Sequence, residues 1–398
     1  MKKIVINKVK LIEEIKKVKA GLGKSNSNMK LTFAKNKVII TSCDYSKQIF
    51  CFCNLVKEVQ DTIEIVVDGI LFSNIILSAS NVNTDEFILE LSKTSLVVKA
   101  GDKFLTTIGV KPDEDFISIM NKNNKDEAII KMKTDVLIEA INCTGYCADE
   151  QEQRDLTKCL CFTTNTEKKI LMISAMSSPR LGLSKCTYEE IKKDKDSKDI
   201  NFLIPAHDIM EIAKFLKDEF CEIRICEKFV KIKSDKFNVV IKRMHCQYLD
   251  VLRLIPKDGE VVVLQLKKAE LLNAINMSLA IVDRTNRKPT IYEVIDKKVT
   301  LISKSDKGEM KIEVEIEKIE AKEERFKISL NNMLVKEAIT NIPSEQFIIK
   351  FYGTNKPMII YPTKLKYSET IGLIVPIKIT DEDMNSNEEQ KSPNKSSK

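Results

Sequence analysis

The chain has 398 residues, 43% of them hydrophobic and 31% charged, with a formal net charge of +7. That length allows two to four domains with buried cores, and the balance excludes a fibrous or wholly disordered chain without naming a function. No apolar run reaches the ~18 residues of a membrane span, and "MKKIVINKVK" interrupts its apolar stretch with lysines, so neither a span nor a signal peptide is expected and the chain reads as cytoplasmic.

A short strand leads into the first predicted helix, "NKVKLIEEIKKVKAGLG". The helix ends in Gly-Lys-Ser, the close of a phosphate-binding loop, but the G-x-x-x-x-G-K-S spacing needs a glycine where Val18 stands. Such a loop also follows a strand and opens a helix, whereas here the glycines end one. A nucleotide site is not expected. Leu11, Ile15, Val18 and Leu22 repeat at helical spacing on one face, while Lys8, Lys10, Lys16, Lys17 and Lys19, with Lys24 just beyond, form a basic stripe. A solvated surface or a polyanion partner would each account for that stripe.

The same sequence of elements then recurs. Helices in the position of the first run through "TDVLIEAINCTGYC" near residue 134 and "KKAELLNAINMSLAIV" near residue 267, about 130 residues apart. Each copy has a second helix, in "DGILFSNIILSAS" from Asp68, "PAHDIMEIAKFLKDE" from Pro205 and "SLNNMLVKEAITNI" from Ser329. Each ends in strands of alternating polarity, and the closing runs of the first two copies share Asp-Lys-Phe at 102–104 and 235–237. Two helices against antiparallel strands make an α+β unit, and three copies make a duplicated domain rather than a short-repeat solenoid. The turn-rich segments "NKNNKDE" and "PKDGE" place the boundaries at 1–122, 123–257 and 258–380. The segment 381–398 is too polar to support a core and is expected to be a disordered tail.

Chemistry-bearing residues are sparse. The eleven cysteines include the pairs Cys51 and Cys53, Cys143 and Cys147, and Cys159 and Cys161, none with the CxxC spacing of a zinc ribbon, so they read as small buried hydrophobes in a reducing cytosol. The two histidines are His207 at a helix start and His245, read as lying in a strand; no HExxH or GxSxG motif occurs. No metal, cofactor or catalytic activity is expected.

Local segments add a family resemblance. "QRDLTKCLCF" (153–162) is similar to an Arg-Tyr-Tyr-Leu-Asn-Gly segment, keeping Arg154, and "SAMSSPRLGL" (174–183) to an Ala-Thr-Asp-Gly-His-Arg-Leu-Ala turn, keeping Arg180 and Leu181. "YLDVLRLIP" (248–256) resembles Phe-Pro-Asp-Tyr-Arg-Arg-Val-Leu-Pro, and "LIVPIKI" (373–379) a closing Val-Val-Met-Pro-Met-Arg-Leu. "VKPDEDFISI" (110–119) resembles the close of a first domain. Together with the repeat, these segments resemble the bacterial sliding clamp, the β subunit of DNA polymerase III, over residues 1 to about 380.

The resemblance implies three tandem DNA-clamp domains and a head-to-tail homodimer whose six domains close into a ring, helices inside and sheets outside. It implies a non-catalytic processivity factor that encircles duplex DNA independently of sequence, tethers a replicative polymerase and is opened by a clamp loader. The inner wall would carry Lys10, Lys17, Lys24, Lys214, Lys217 and Lys336, giving weak phosphate attraction that permits sliding. Polymerase, loader and other clamp-motif proteins would dock in a groove between the second and third domains. That groove would draw on Thr157, Met176, Ser178, Pro179, Arg180, Leu181, Leu249, Leu254, Pro357, Leu373, Ile374, Val375, Pro376, Ile377 and Lys378. Ile281 and Val282, after the third domain's first helix, would meet the neighbouring first domain. Ser178, Pro179 and Leu249 depart from the family's residues, which leaves as the alternative a phage or mobile-element paralogue that captures or competes for host replication proteins.

Overall fold

Asn7 stands where the first strand becomes a helix, and its Oδ1 accepts a hydrogen bond from the Lys10 backbone N–H at 3.1 Å. Such a cap satisfies an amide left over at a helix start, so strand can pass into helix without a loop. Asp68 and Asn331 cap the second helices of the first and third copies in the same way, accepting from Leu71 N and Met333 N. The computed structural model describes residues 2–23, 26–120, 125–193, 199–235, 237–281, 289–305 and 308–378.

The first copy runs β1 (Lys2–Asn7), α1 (Lys8–Val18), β2 (Asn28–Cys43), β3 (Lys47–Asp68), α2 (Gly69–Ser78), β4 (Glu86–Leu91), β5 (Ser95–Ala100) and β6 (Phe104–Gly109). The second begins with β7 (Ala128–Lys133), α3 (Thr134–Gly145), β8 (Cys159–Asn165), β9 (Ile170–Ser177), β10 (Arg180–Thr187), β11 (Glu190–Lys193) and β12 (Asn201–Pro205). It closes with α4 (Ala206–Ala213), β13 (Phe220–Ile225), β14 (Phe229–Lys233) and β15 (Phe237–Lys242). The third begins with β16 (Val262–Lys267), α5 (Lys268–Ile281), β17 (Thr290–Ile295), β18 (Lys298–Ser305), β19 (Gly308–Val314), β20 (Lys318–Ala321) and β21 (Arg325–Leu330). It closes with α6 (Asn332–Asn341), β22 (Gln346–Phe351), β23 (Met358–Pro362) and β24 (Ser368–Ile374). Each copy is strand, helix, strands, helix and three strands, the α+β repeat expected from the sequence. His245 corrects one reading, lying beyond the end of β15 rather than in a strand.

The chain forms two compact units that do not follow the repeats. One comprises Met1–Ile141, Cys161–Met172 and Cys186–Cys246, the other Asn142–Leu160, Ile173–Lys185 and Gln247–Lys398. In the first unit, one antiparallel sheet has the order β11-β7-β13-β14-β15-β3-β1-β4-β5-β6, with β2 also on β3. The β15–β3 pairing, Phe237 opposite Cys51 through Ile241 opposite Lys47, fuses the closing strands of the second copy to the first. Leu11, Ile15 and Val18 of α1 and Phe72 and Ile76 of α2 are buried in this unit's core.

The end of α1 explains the glycines of the false phosphate loop. Ser42 Oγ donates to the Val18 carbonyl at 2.5 Å, and a β-carbon on Gly21 would stand 2.3 Å from the Ser42 Oγ. Gly21 therefore gives the helix end room against β2, a packing role rather than a phosphate-binding one.

In the second unit, β10-β24-β23-β22-β16-β20 are successive neighbours in one sheet, and β19-β18-β17-β21 form another. Leu271 and Ile275 of α5, Val335 and Ile339 of α6, and Phe326, Phe347 and Phe351 share the buried core. Within it Tyr292 Oη donates to Asn332 Oδ1 at 2.6 Å and Asn332 Nδ2 donates to Ser278 Oγ at 2.5 Å, so these buried polar groups have partners. Ten cysteines are buried and Cys246 is partly so, in keeping with their reading as small hydrophobes. Burial pushes the Cys147 and Cys186 thiols up to about 12.

Candidate functional site

Two charged regions stand out, each inside one unit. The first is the helix surface of the first unit. Lys10, Lys16 and Lys19 are exposed on α1 and its last turn, opposite the buried stripe. Lys17 behaves differently from the expectation of a free wall lysine: its Nζ lies 2.7 Å from Glu14 Oε1 and its side chain is only 15% exposed. Lys24 lies outside the described residues.

On α4 the two acids are engaged by one buried lysine. Lys47, with its side chain 4% exposed, places Nζ 2.8 Å from Asp208 Oδ1 and 2.8 Å from Glu211 Oε2. Burial pulls the Lys47 ammonium toward neutrality, but the hydrogen bonds it donates to Asp208 and then Glu211 prevail and hold its pKa above the ordinary value. Lys214 and Lys217, beyond the helix end, stay exposed. Lys336 is half-buried on α6 beside Glu337. The basic face is not shared by every helix, for α3 carries Asp135 and Glu139 and no lysine or arginine.

The second region is a pocket of about 750 Å³ in the second unit. Of the expected groove residues, Ser178, Pro179, Arg180, Val375 and Ile377 line it. Thr157, Met176, Leu181, Leu373 and Ile374 are buried, so they belong to the packing of this unit rather than to an open surface. Val375 is 41% exposed, and its backbone N–H donates to the Pro179 carbonyl at 2.9 Å, which ties the segment after β24 to the turn before β10. Pro376 is half-buried and Lys378 exposed on that segment. Leu249 and Leu254, 47% and 43% exposed, and half-buried Pro357 are not among the lining residues.

Sequence reasoning missed the pocket's polar half: Asp149, Gln151, Glu152, Ser177 and Asn331, with apolar Leu334. The run "ADEQEQRD" before the Arg154 match was the available signal. Glu152 Oε1 accepts from Ser178 N at 2.8 Å and its Oε2 accepts from Arg154 Nη2 at 2.7 Å. Burial opposes ionisation of this carboxyl, yet the Ser178 N–H and the Arg154 guanidinium outweigh it and hold the pKa below the usual range. Arg180 donates to Glu337 through Nη1, to the Ala148 carbonyl through Nη2 at 3.3 Å and to Ser177 Oγ through Nε at 3.3 Å.

Ile281 is half-buried at the end of α5 with its Cδ1 beside Gly308; Val282 lies outside the described residues. Among the described residues no group of three or more His, Cys, Asp and Glu side chains is placed to hold a metal ion, and no helix is long and apolar enough to cross a membrane.

Three two-helix α+β copies, with sheets running from one copy into the next, place the chain in the DNA-clamp class of folds. Residues 131–250 match the family model for the DNA polymerase III beta subunit, central domain. The chain is 24% identical to the beta sliding clamp of Staphylococcus aureus, over 84% of this chain and 88% of that relative. The solved sliding clamp of Bacillus subtilis is similar with a TM-score of 0.83 at 19% identity, covering 95% of this chain and 99% of that one. The DNA polymerase III subunit beta of Pseudomonas aeruginosa gives a TM-score of 0.83 at 15% identity, covering 95% and 100%. The middle of the chain is thus similar to the central domain of the DNA polymerase III beta subunit, and the chain as a whole has the fold of the solved sliding clamps.

Proposed function

We infer that this chain is a DNA sliding clamp, a non-catalytic processivity factor that holds duplex DNA without regard to sequence and keeps a DNA polymerase on its template. The observation that carries this reading is the threefold element order, with the family match falling on its middle copy. A clamp needs no reactive group. It needs a closed path around DNA, weak attraction to phosphate and a place for partners to dock.

Three domains, with boundaries near residues 122 and 257, pair with those of a second chain to close the ring. Lys10, Lys16, Lys19, Lys214 and Lys217 supply the phosphate attraction, being exposed and on or next to helices. The seam joins the end of α5, at Ile281 and Val282, to the edge strand β6 of the neighbouring chain. β6 ends the order of its sheet and exposes Leu105 to 64%, and an open apolar edge of this kind calls for a partner strand. Polymerase, loader and related partners dock by short apolar segments in the pocket lined by Pro179, Leu334, Val375 and Ile377.

Light scattering across a dilution series tests the assembly without DNA or partner. A mass near twice 45.4 kDa that resists dilution is expected. A monomer at every concentration would overturn encirclement by this chain alone. In the double variant Leu105→Asp, Ile281→Asp the mass is expected to halve; an intact dimer would place the seam elsewhere.

A further inference from the structure

Building on the groove reading above, we propose that the pocket of the second unit selects partner peptides carrying a lysine or arginine beside their apolar anchors. The chain as a whole is basic, at +7, yet this pocket is not. Its lining and immediate neighbours hold the carboxylates of Asp149, Glu152 and Glu337 against the guanidiniums of Arg154 and Arg180.

Pairing decides which sign an incoming peptide meets. Arg180, 12% exposed, already donates to Glu337, Ala148 and Ser177, so it has little left to offer a peptide carboxylate. Arg154, 51% exposed, gives Nη2 to both Glu152 Oε2 and Ser178 Oγ, at 2.7 and 2.8 Å, so its charge is already paired with Glu152. Asp149 is the exception. Its Oδ1 accepts the Gln151 backbone N–H at 2.9 Å, and among the described residues no cation pairs with it. Glu337 shares Arg180 but remains 44% exposed.

A carboxylate without a cation in the pocket gains from an arriving ammonium or guanidinium, whereas a peptide acid there meets like charge, an Arg180 engaged through all three nitrogens and an Arg154 whose charge is paired with Glu152. Lys378, next to Ile377 in the chain, is exposed and opposes this balance. Leu334, Val375 and Ile377 supply the apolar floor that orients the segment, so charge acts on the flank and not on the anchor.

The test uses the full chain and two fluorescein-labelled peptides with the same pair of leucines, one flanked by lysines and the other by glutamates. The lysine peptide is expected to bind roughly three- to tenfold tighter at ~50 mM salt, and the ratio is expected to shrink as salt screens the flank. Asp149→Asn, which keeps the acceptor for Gln151 N, should bring the ratio toward one. Val375→Asn should weaken both peptides together. Equal or reversed affinities, or a ratio unmoved by Asp149→Asn, would overturn the charge selection and leave the groove standing. Failure of both peptides to bind, or insensitivity of both to Val375→Asn, would remove the groove reading and the selection with it.

Discussion

The helix surface of the first unit and the pocket of the second use the same charged groups in opposite arrangements. On α1 and α4 three of the four carboxylates are engaged, Glu14 by Lys17 and both Asp208 and Glu211 by Lys47, and the lysines left over face solvent. Glu13 stays exposed, outnumbered by Lys10, Lys16 and Lys19. In the pocket the arginines are engaged and Asp149 is left over. Net charge therefore says little about either surface; what each surface presents is the remainder after local pairing. A phosphate backbone suits the first remainder and a basic peptide the second.

The largest expected effect comes from Lys47, because it keeps two acids from spoiling the basic end of α4. Lys47→Met leaves Asp208, with its side chain 8% exposed, without its cation, and breaking a buried pair in this way costs about 3–5 kcal/mol. Urea unfolding should show a loss of that order, and adding Asp208→Leu and Glu211→Met should restore most of it. The pH dependence follows from the raised pKa of Lys47. A lysine titrates at about 10.4 when unfolded, so its contribution is complete below that pH and disappears as pH rises through the higher folded value. The wild type should lose stability more steeply than Lys47→Met in that alkaline range; parallel curves would show that the ion triad contributes nothing there.

Next in size is the effect at the surface proposed to face DNA. Lys10→Glu, Lys214→Glu and Lys217→Glu together should weaken binding of a labelled duplex roughly tenfold or more at ~100 mM salt, and flatten the slope of log affinity against log salt by about 0.9 for each phosphate no longer neutralised. The double variant Lys17→Met, Glu14→Gln is the contrast. Since Lys17 and Glu14 neutralise each other, removing both should change DNA affinity far less than loss of Lys10, and an equal effect would refute the distinction between free and paired lysines.

Much of the architecture could be read in advance because it rests on local patterns. Helical spacing of Leu11, Ile15 and Val18 marked a buried face, and the Asp-Lys-Phe turns fall where Phe104 and Phe237 open β6 and β15. The charge pairing could not be read, since it depends on tertiary distance: Lys47 and Asp208 are 161 residues apart in the chain. The groove was half legible for the same reason. Motif resemblance reached Pro179, Arg180, Val375 and Ile377, but Asn331 and Leu334 join them only through the position of α6, and Asp149 and Glu152 through the loop after α3. Resemblance also counted Leu373 and Ile374 as groove, although both are buried at the end of β24, where the strand is covered on both faces.

The smallest effect tests whether pairing, rather than the mere count of charges, sets the sign of the pocket. Glu337→Gln removes one negative charge and also frees a donor of Arg180, so it acts on both sides of the balance. If only total charge mattered, it should resemble Asp149→Asn, since each removes a single carboxylate. If pairing matters, the variants separate: Asp149→Asn weakens the lysine-flanked peptide, whereas Glu337→Gln also strengthens the glutamate-flanked one, which gains an unoccupied guanidinium. Glu337 is 44% exposed, so the gain should be modest, about threefold, and sensitive to salt. Its fold cost should be small, because Arg180 keeps its bonds to Ala148 and Ser177. A glutamate peptide that binds Glu337→Gln no better than wild type would mean that Arg180 is held away from the peptide by its remaining partners, and that Asp149 alone carries the selection.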